Sequence, residues 1–304
     1  MIPVVLGLIA LWAVSATIML AVLAGRNTRA WRRLNEMLER LIEGQPLEDV
    51  SFEERELSLI SNQLKTISDK LAVEVGRANQ EKEQVKQLIS NISHQLKTPL
   101  ANVMMYEELL ESRDLTEEQK TIFTQKLRNQ TEKIDWLLRS LFKMTKLEQN
   151  AMEFQIREAS IRETVRAAVR AVYEKASQKG IEIRADALDD VRLLHDPKWT
   201  SEIFENLLEN AIKYTMGPGS VRLSLEQLEN YSVIHVADNG RGIPEHELPH
   251  VFERFYRGKE AEGMEGSGIG LYLSKLILEQ EKGYMTVKSQ MGQGSIFSVF
   301  LQNC

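Results

Sequence analysis

The chain has 304 residues, 43% of them hydrophobic and 27% charged, and 44 acidic against 38 basic side chains give it a net charge of −6. That length suits two domains of about 100 to 200 residues each, and the acidic balance excludes a general nucleic-acid-binding surface, so no direct nucleic-acid partner is expected. The one cysteine, Cys304, cannot close an internal disulfide, which excludes a disulfide-built scaffold and places the folded part in a reducing compartment.

Residues 2–24 carry no charge and are rich in Leu, Ile, Val and Ala. At about 1.5 Å per residue such a helix can cross a hydrocarbon core of about 30 Å. Nothing basic precedes the run, as a cleaved signal peptide would require, whereas Arg26, Arg29, Arg32 and Arg33 follow it directly. Positive charge on that side predicts a cytoplasmic C-terminal part. Residues 1–24 are therefore expected to form a single transmembrane anchor in the cell membrane, with almost nothing outside and no extracellular sensor domain. Residues 25–84 read as a juxtamembrane signalling linker: 31–42 is a basic amphipathic stretch, and Gly44, Gln45 and Pro46 break it before a new helix starts near Ser51. A signal can then enter through the bilayer, through a membrane protein partner or through this linker.

Leu64, Leu71, Ala78, Val85 and Ile92 recur every seven residues, the pattern of a helix packed along a coiled-coil or bundle seam, and Leu96 and Leu100 extend it. Glu74 and Glu81 fall on the same seam, where carboxylates either permit a shift of register or splay it locally. Residues 93–99 read SHQLKTP. At about 100° per residue, His94 lies about 200° from both Ile92 and Leu96 and turns away from the seam. An exposed imidazole is largely neutral at physiological pH and can act as a nucleophile without a strong base. Thr98 follows four residues later on the same face, and Pro99 should bend the helix just past the histidine.

This helix is expected to end near Glu111, with a turn at 112–115 and a second helix over 116–147 opened by a capping box of Thr116 and Gln119. Ile134, Leu137, Leu138 and Leu141 stripe that second helix. Two helices cannot bury both stripes alone, so residues 85–150 are expected to pair with a second copy as a dimeric four-helix bundle.

Residues 151–304 alternate strands and helices: strands at 181–185, 191–195, 221–225, 232–237, 284–289 and 295–301, and a helix at 198–214. That pattern predicts an α/β sandwich. In the helix, Ile203, Phe204, Leu207, Leu208, Ala211 and Ile212 form an apolar side, while Asn206, Asn210 and Lys213 line up on the other. Asp238 ends a strand beside Asn239-Gly240-Arg241-Gly242. Gly266, Gly268 and Gly270 precede an apolar helix through Leu271, a backbone arrangement whose N–H groups favour phosphate.

The boxes FENLLENAIKYT at 204–215, DNGRGIP at 238–244, GSGIGL at 266–271 and GQGSIF at 292–297, following the SHQLKTP run, resemble a membrane sensor histidine kinase of the two-component type. The match spans roughly residues 85–304 with every box in the family's order. It implies an ATP-binding sandwich of the gyrase-like kind, a homodimer, and transfer of phosphate from ATP to His94 and onward to an aspartate of a cytoplasmic response regulator. It further implies that Asn210 coordinates Mg²⁺ across the phosphates, that Asn206, Lys213 and Tyr214 are nucleotide contacts, and that Thr98 serves a phosphatase activity toward the regulator. The bend at Pro99 would help the ATP domain reach His94.

Asp238 can accept the adenine amino group, Gly240 and Gly242 allow close backbone approach, and Ser267 can add a hydroxyl. The run 251–257, VFERFYR, with 258–265 resembles the family's aromatic box and lid, and either Arg254 or Arg257 could neutralise γ-phosphate charge. Two departures stand out. Gln95 replaces the usual acidic neighbour of the histidine and cannot act as a base, which predicts slower or differently assisted phosphorylation. Gyrase-like ATPases place a water-activating Glu where this chain has Asn206, which favours phosphotransfer over hydrolysis. His195, His235, His246 and His250 lie outside these motifs and are read as structural or surface residues.

Overall fold

A computed structural model describes residues 15, 17–20, 28, 31–32, 35–36, 38–40, 55–112, 115–258 and 266–304. The expected membrane span, most of the arginines behind it, the break at 44–46 and the lid at 259–265 lie outside the described residues. Among the described residues no helix is long and apolar enough to cross a membrane. The chain divides into two units, Met1–Ser90 and Asn91–Cys304.

Helix α1 runs Arg55–Leu110, continuing through Pro99, which is buried. In its first part the seam is uncovered on the single chain: Leu71 is 50% and Val85 53% exposed. Leu110 ends it as expected, and α2 spans Glu117–Glu148. The capping box is formed, with the Thr116 side chain accepting from the Gln119 backbone and the Gln119 side chain accepting from the Thr116 N–H at 2.9 Å. Near the turn the Tyr106 and Phe123 rings stack with centroids 6.2 Å apart. The stripe that α2 buries overlaps the expected one only in part: Leu137 is shared, and Ile134 and Leu141 are half-buried. Leu137, Ser140, Met144 and Leu147 are buried, whereas Leu138 and Phe142 stay exposed. The buried face lies against the sandwich, where α2 packs on helix α5 (Gly270–Gln280).

The sandwich follows the expected layout, with most strands longer than expected and β3 one residue shorter. β1 (Arg157–Ser160) pairs antiparallel with β3 (Arg192–His195), and a five-stranded sheet runs β2-β4-β5-β7-β6. Its members are β2 (Ile181–Ala187), β4 (Gly219–Gln227), β5 (Tyr231–Asp238), β6 (Tyr284–Gln290) and β7 (Gly294–Gln302), with β2 and β4 parallel and the rest antiparallel. Helices α3 (Ile161–Gln178), α4 (Pro197–Tyr214) and α5 pack on one another and on this sheet. β1, α3 and the 3-10 turn at Glu245–His250 were not anticipated. α3 nevertheless carries a readable pattern: Ile161, Val165, Ala168, Val172 and Ala176 are buried at helical spacing, and Ser160 caps its start by accepting from the Glu163 N–H. Ile203, Phe204, Leu207 and Leu208 of α4 are fully buried, each worth about 1.5–3 kcal/mol of transfer free energy, and they fix which side of α4 faces out.

A buried carboxylate follows the end of α5 within the sandwich. Glu281, 2% exposed, accepts from the Asp196 N–H at 2.9 Å and from the Thr200 hydroxyl. Burial raises its pKa to about 7, with the neighbouring Asp196 adding in the same direction. A folded pKa above the unfolded value near 4.5 means that the fold holds this proton more tightly than the open chain does. The associated stability is full below about pH 4.5 and is lost as pH rises through about 7, on the order of 3 kcal/mol in all. Glu281→Gln should remove this slope. Melting temperatures at pH 5 and pH 8 should converge in the variant while the wild type loses stability between them; parallel slopes in the two proteins would refute the assignment.

Candidate nucleotide site and phosphoacceptor

The site is built on α4. Asp196 caps the helix by accepting from the Lys198 N–H at 3.0 Å, and Pro197 occupies its first turn. With the apolar face buried, Asn206, Asn210, Lys213 and Tyr214 are left half-buried along the opposite side. They open onto two joined cavities. The smaller, about 100 Å³, is lined by Asn210, Tyr214, Asp238, Gly242, Arg257 and Leu271 among others. The larger, about 580 Å³, is lined by Asn206, Asn210, Lys213, Tyr214, Arg257, Gly266, Ser267, Gly268, Gly270 and Leu271 on the sandwich side.

Asp238 ends β5 inside the smaller cavity. The Gly240 N–H donates to its Oδ1 at 2.8 Å, yet burial prevails and holds its carboxyl above the usual range, with N–H bonds from Gly240 and Ser295 opposing. Such a group gains from any donor that reaches it. Gly240 itself lines neither cavity; a Cβ there would stand 2.7 Å from the Tyr214 carbonyl oxygen. Its place is behind the carboxylate. Gly242 has φ +76°, and a Cβ would fall 2.1 Å from the Gln290 carbonyl oxygen. Gly268, at φ +72°, leaves its carbonyl to accept from the Phe255 N–H at 3.0 Å, which ties the glycine loop to the aromatic box. Gly270 opens α5, and a Cβ on it would lie 3.3 Å from the Asn206 side-chain oxygen. The Asn206 amide donates to the Ser274 hydroxyl at 3.3 Å, which turns it partly toward α5.

The two candidate arginines separate. Arg257 lines both cavities. Arg254 lines neither: it pairs with Glu148 at the end of α2 and donates to the Tyr272 hydroxyl at 3.3 Å, so its charge is spent on the seam between hairpin and sandwich. Tyr272 also donates to Glu148 at 2.7 Å, and Lys143 pairs with Glu202 nearby. Of the aromatic box, Tyr256 lines both cavities while Phe252 meets Phe297 edge-on at 6.4 Å.

His94 and Thr98 are exposed on α1 and Gln95 is half-buried; none lines either cavity. Of the other histidines, His195 is buried, His235 is half-buried, and His246 and His250 lie at the surface. His195 is fully buried between the Thr164 hydroxyl and the Leu193 carbonyl, and burial depresses its pKa; His235 meets Ser298 and His250 meets Glu253. Sequence reasoning missed Arg241, whose guanidinium lies 4.7 Å from the centre of the Tyr214 ring, with Lys213 4.5 Å from the same ring. Arg241 stands inside a box already singled out, but its stacking partner is 27 positions earlier and on another element.

Residues 84–150 match the family described as the His Kinase A (phospho-acceptor) domain, and 195–303 the family of histidine kinase-, DNA gyrase B- and HSP90-like ATPases. Sensor histidine kinase YcbM of Bacillus subtilis is 30% identical over 222 residues, which cover 72% of this chain and 71% of that protein. The chain belongs to the sensor histidine kinases. It is an ATP-dependent kinase of the two-component class, with a phosphoacceptor hairpin and an ATP-binding sandwich. Sensor protein kinase WalK of Staphylococcus saprophyticus is 29% identical over 233 residues, and there the match spans 75% of this kinase but only 38% of the longer relative. The fold is shared with histidine kinase ThkA in its complex with response regulator protein TrrA: TM-score 0.54 and 17% identity over 76% of this chain and 66% of that one.

Asn210 fits a Mg²⁺ role. It lines both cavities with a side chain that carries a hard amide oxygen, and among the described residues no cluster of His, Cys, Asp or Glu offers a dedicated cage. Mg²⁺ suits such a place because it keeps several waters and takes its other oxygens from phosphate.

Proposed function

We propose that this kinase is a membrane-anchored homodimer that phosphorylates His94 from Mg-ATP and passes the phosphate to an aspartate of a cytoplasmic response regulator. The observation that carries the reading is the convergence of Asn210, Asp238 and the 266–270 glycines on joined cavities in the same unit as an exposed His94. Asp238 would receive the adenine, the glycines and Lys213 would hold the phosphates, and Asn210 would hold a Mg²⁺ that supplies charge compensation there. An imidazole nitrogen attacks the γ-phosphorus, the bond to ADP breaks, and the ring releases its proton. Because His94 lines neither cavity, the sandwich must leave its seat on α2 before transfer, and the Arg254–Glu148, Tyr272–Glu148 and Lys143–Glu202 contacts are among those it must break. Glu205 lines neither cavity and accepts from the Ser201 hydroxyl, which supports phosphotransfer over hydrolysis.

The uncovered apolar residues of α1 and α2 support the dimer: Leu71, Val85, Leu100, Leu138 and Phe142 are all exposed on one chain. The uncharged run at 2–24 followed by arginines supports the anchor. The regulator partner rests on the family and on the ThkA complex.

With ATP labelled on the γ-phosphate and Mg²⁺, the purified chain should acquire a label that acid removes and alkali does not. Release of free phosphate without such a label would replace this reading with an ATPase. Thr98 separates the two activities. Its hydroxyl, exposed four residues after His94, can orient water toward a regulator's acyl phosphate but has no part in the attack on ATP. Thr98→Ala should keep at least half of the labelling rate while slowing regulator dephosphorylation roughly tenfold. Equal loss of both would mean a damaged helix.

A further inference from the structure

The larger cavity has a second wall that belongs to the hairpin. Asn129, Gln130, Lys133, Trp136 and Leu137 of α2 line it opposite Lys213 and the 266–270 glycines. Lys133 is the basic residue of α2 on this wall, and most of the others are engaged elsewhere, while Lys146 is exposed in the last turn and lines neither cavity. Lys120 pairs with Glu117, Arg128 with Glu132, Arg139 with Asp135 and Lys143 with Glu202, while Lys126 lies over the Tyr106 ring. Residues three and four positions from Lys133 are Gln130, Asn129, Trp136 and Leu137, none of them charged, so the helix offers it no partner of its own. Among the described residues Lys133 pairs with no carboxylate. The two acidic residues of the cavity wall, Glu132 and Glu209, are taken by Arg128 and Lys175.

A half-buried lysine lining a cavity whose other wall is a glycine loop and a second lysine calls for a polyanion. We propose that Lys133 of the hairpin contacts the terminal phosphates of a nucleotide seated in this cavity, so that bound ATP bridges α2 and the sandwich in the resting state. The inference rests on the nucleotide reading above and adds a hairpin residue to it. The adenosine end, held in the smaller cavity away from α2, lies outside the reach of this contact. The longer the phosphate chain, the more Lys133 matters. ATP would thereby hold the sandwich on α2, and a stimulus would have to overcome that bridge before His94 is reached.

The test is calorimetric, on the whole chain in detergent, with a non-hydrolysable ATP analogue, ADP and AMP. Lys133→Ala should weaken the triphosphate analogue roughly five- to tenfold, ADP less, and AMP within about twofold, and Lys133→Arg should restore most of the loss. An unchanged triphosphate affinity in Lys133→Ala overturns the proposal while leaving the nucleotide site standing. Equal weakening of all three nucleotides also overturns it, since that is the signature of a disturbed fold. Should the wild type bind none of them, the nucleotide reading itself fails.

Discussion

His94→Ala is expected to reduce the acid-labile label to background while the ATP analogue binds as in the wild type. The two halves of that outcome follow from separate observations. His94 is exposed on α1 and contributes to neither cavity, so its removal leaves the nucleotide's surroundings untouched. No other histidine can substitute. His195 is fully buried and held by Thr164 and Leu193, while His235 and His250 are engaged by neighbouring side chains on the sandwich. His246 is exposed, but it sits in a short turn of the ATP-binding domain rather than on the hairpin. Labelling that persists in His94→Ala would move the phosphoacceptor elsewhere; loss of nucleotide binding in the same variant would show that the hairpin and the cavity are coupled through this residue.

The parts of this molecule that follow local rules were legible in the sequence. The Thr116–Gln119 capping box, the two faces of α4 and the outward turn of His94 all depend on residues within one or two helical turns, and each is found where the spacing puts it. The hairpin of β4 and β5 was visible for the same reason. What escaped depends on distant partners. β1 has only four residues and exists because β3, 35 positions later, pairs with it. On α2 the expected stripe includes Leu137 but not Met144 and Leu147, which are buried in a helix that packs on α5, a distant partner that only the docked sandwich brings. Arg254 and Arg257 are indistinguishable in the run VFERFYR. Their roles part because Glu148, 106 positions away, captures the first. α3 carries a local signal as well, since Ile161, Val165, Ala168, Val172 and Ala176 recur at helical spacing behind the Ser160 cap.

Asn210→Ala is expected to cut the rate of His94 labelling roughly 100-fold, about 3 kcal/mol of transition-state stabilisation. Asn210 is one of the few side chains shared by both cavities, so a metal on its oxygen would stand where the adenosine part gives way to the phosphates. As phosphoryl transfer proceeds, charge collects on the oxygens of the departing ADP, and a Mg²⁺ held by Asn210 would supply stronger compensation than a single lysine. The amide supplies only one hard oxygen, so losing it should misplace the metal without emptying the nucleotide pocket. Binding of the ATP analogue in EDTA should therefore stay within about twofold of the wild type, while the gain in affinity that Mg²⁺ brings should largely vanish. Asn210→Asp sharpens the distinction: its carboxylate repels metal-free phosphates but remains a good oxygen ligand, so this variant should bind poorly in EDTA and recover in Mg²⁺. If Asn210→Ala weakens binding equally with and without Mg²⁺, Asn210 packs the cavity wall, and the metal must be held by phosphates and water alone.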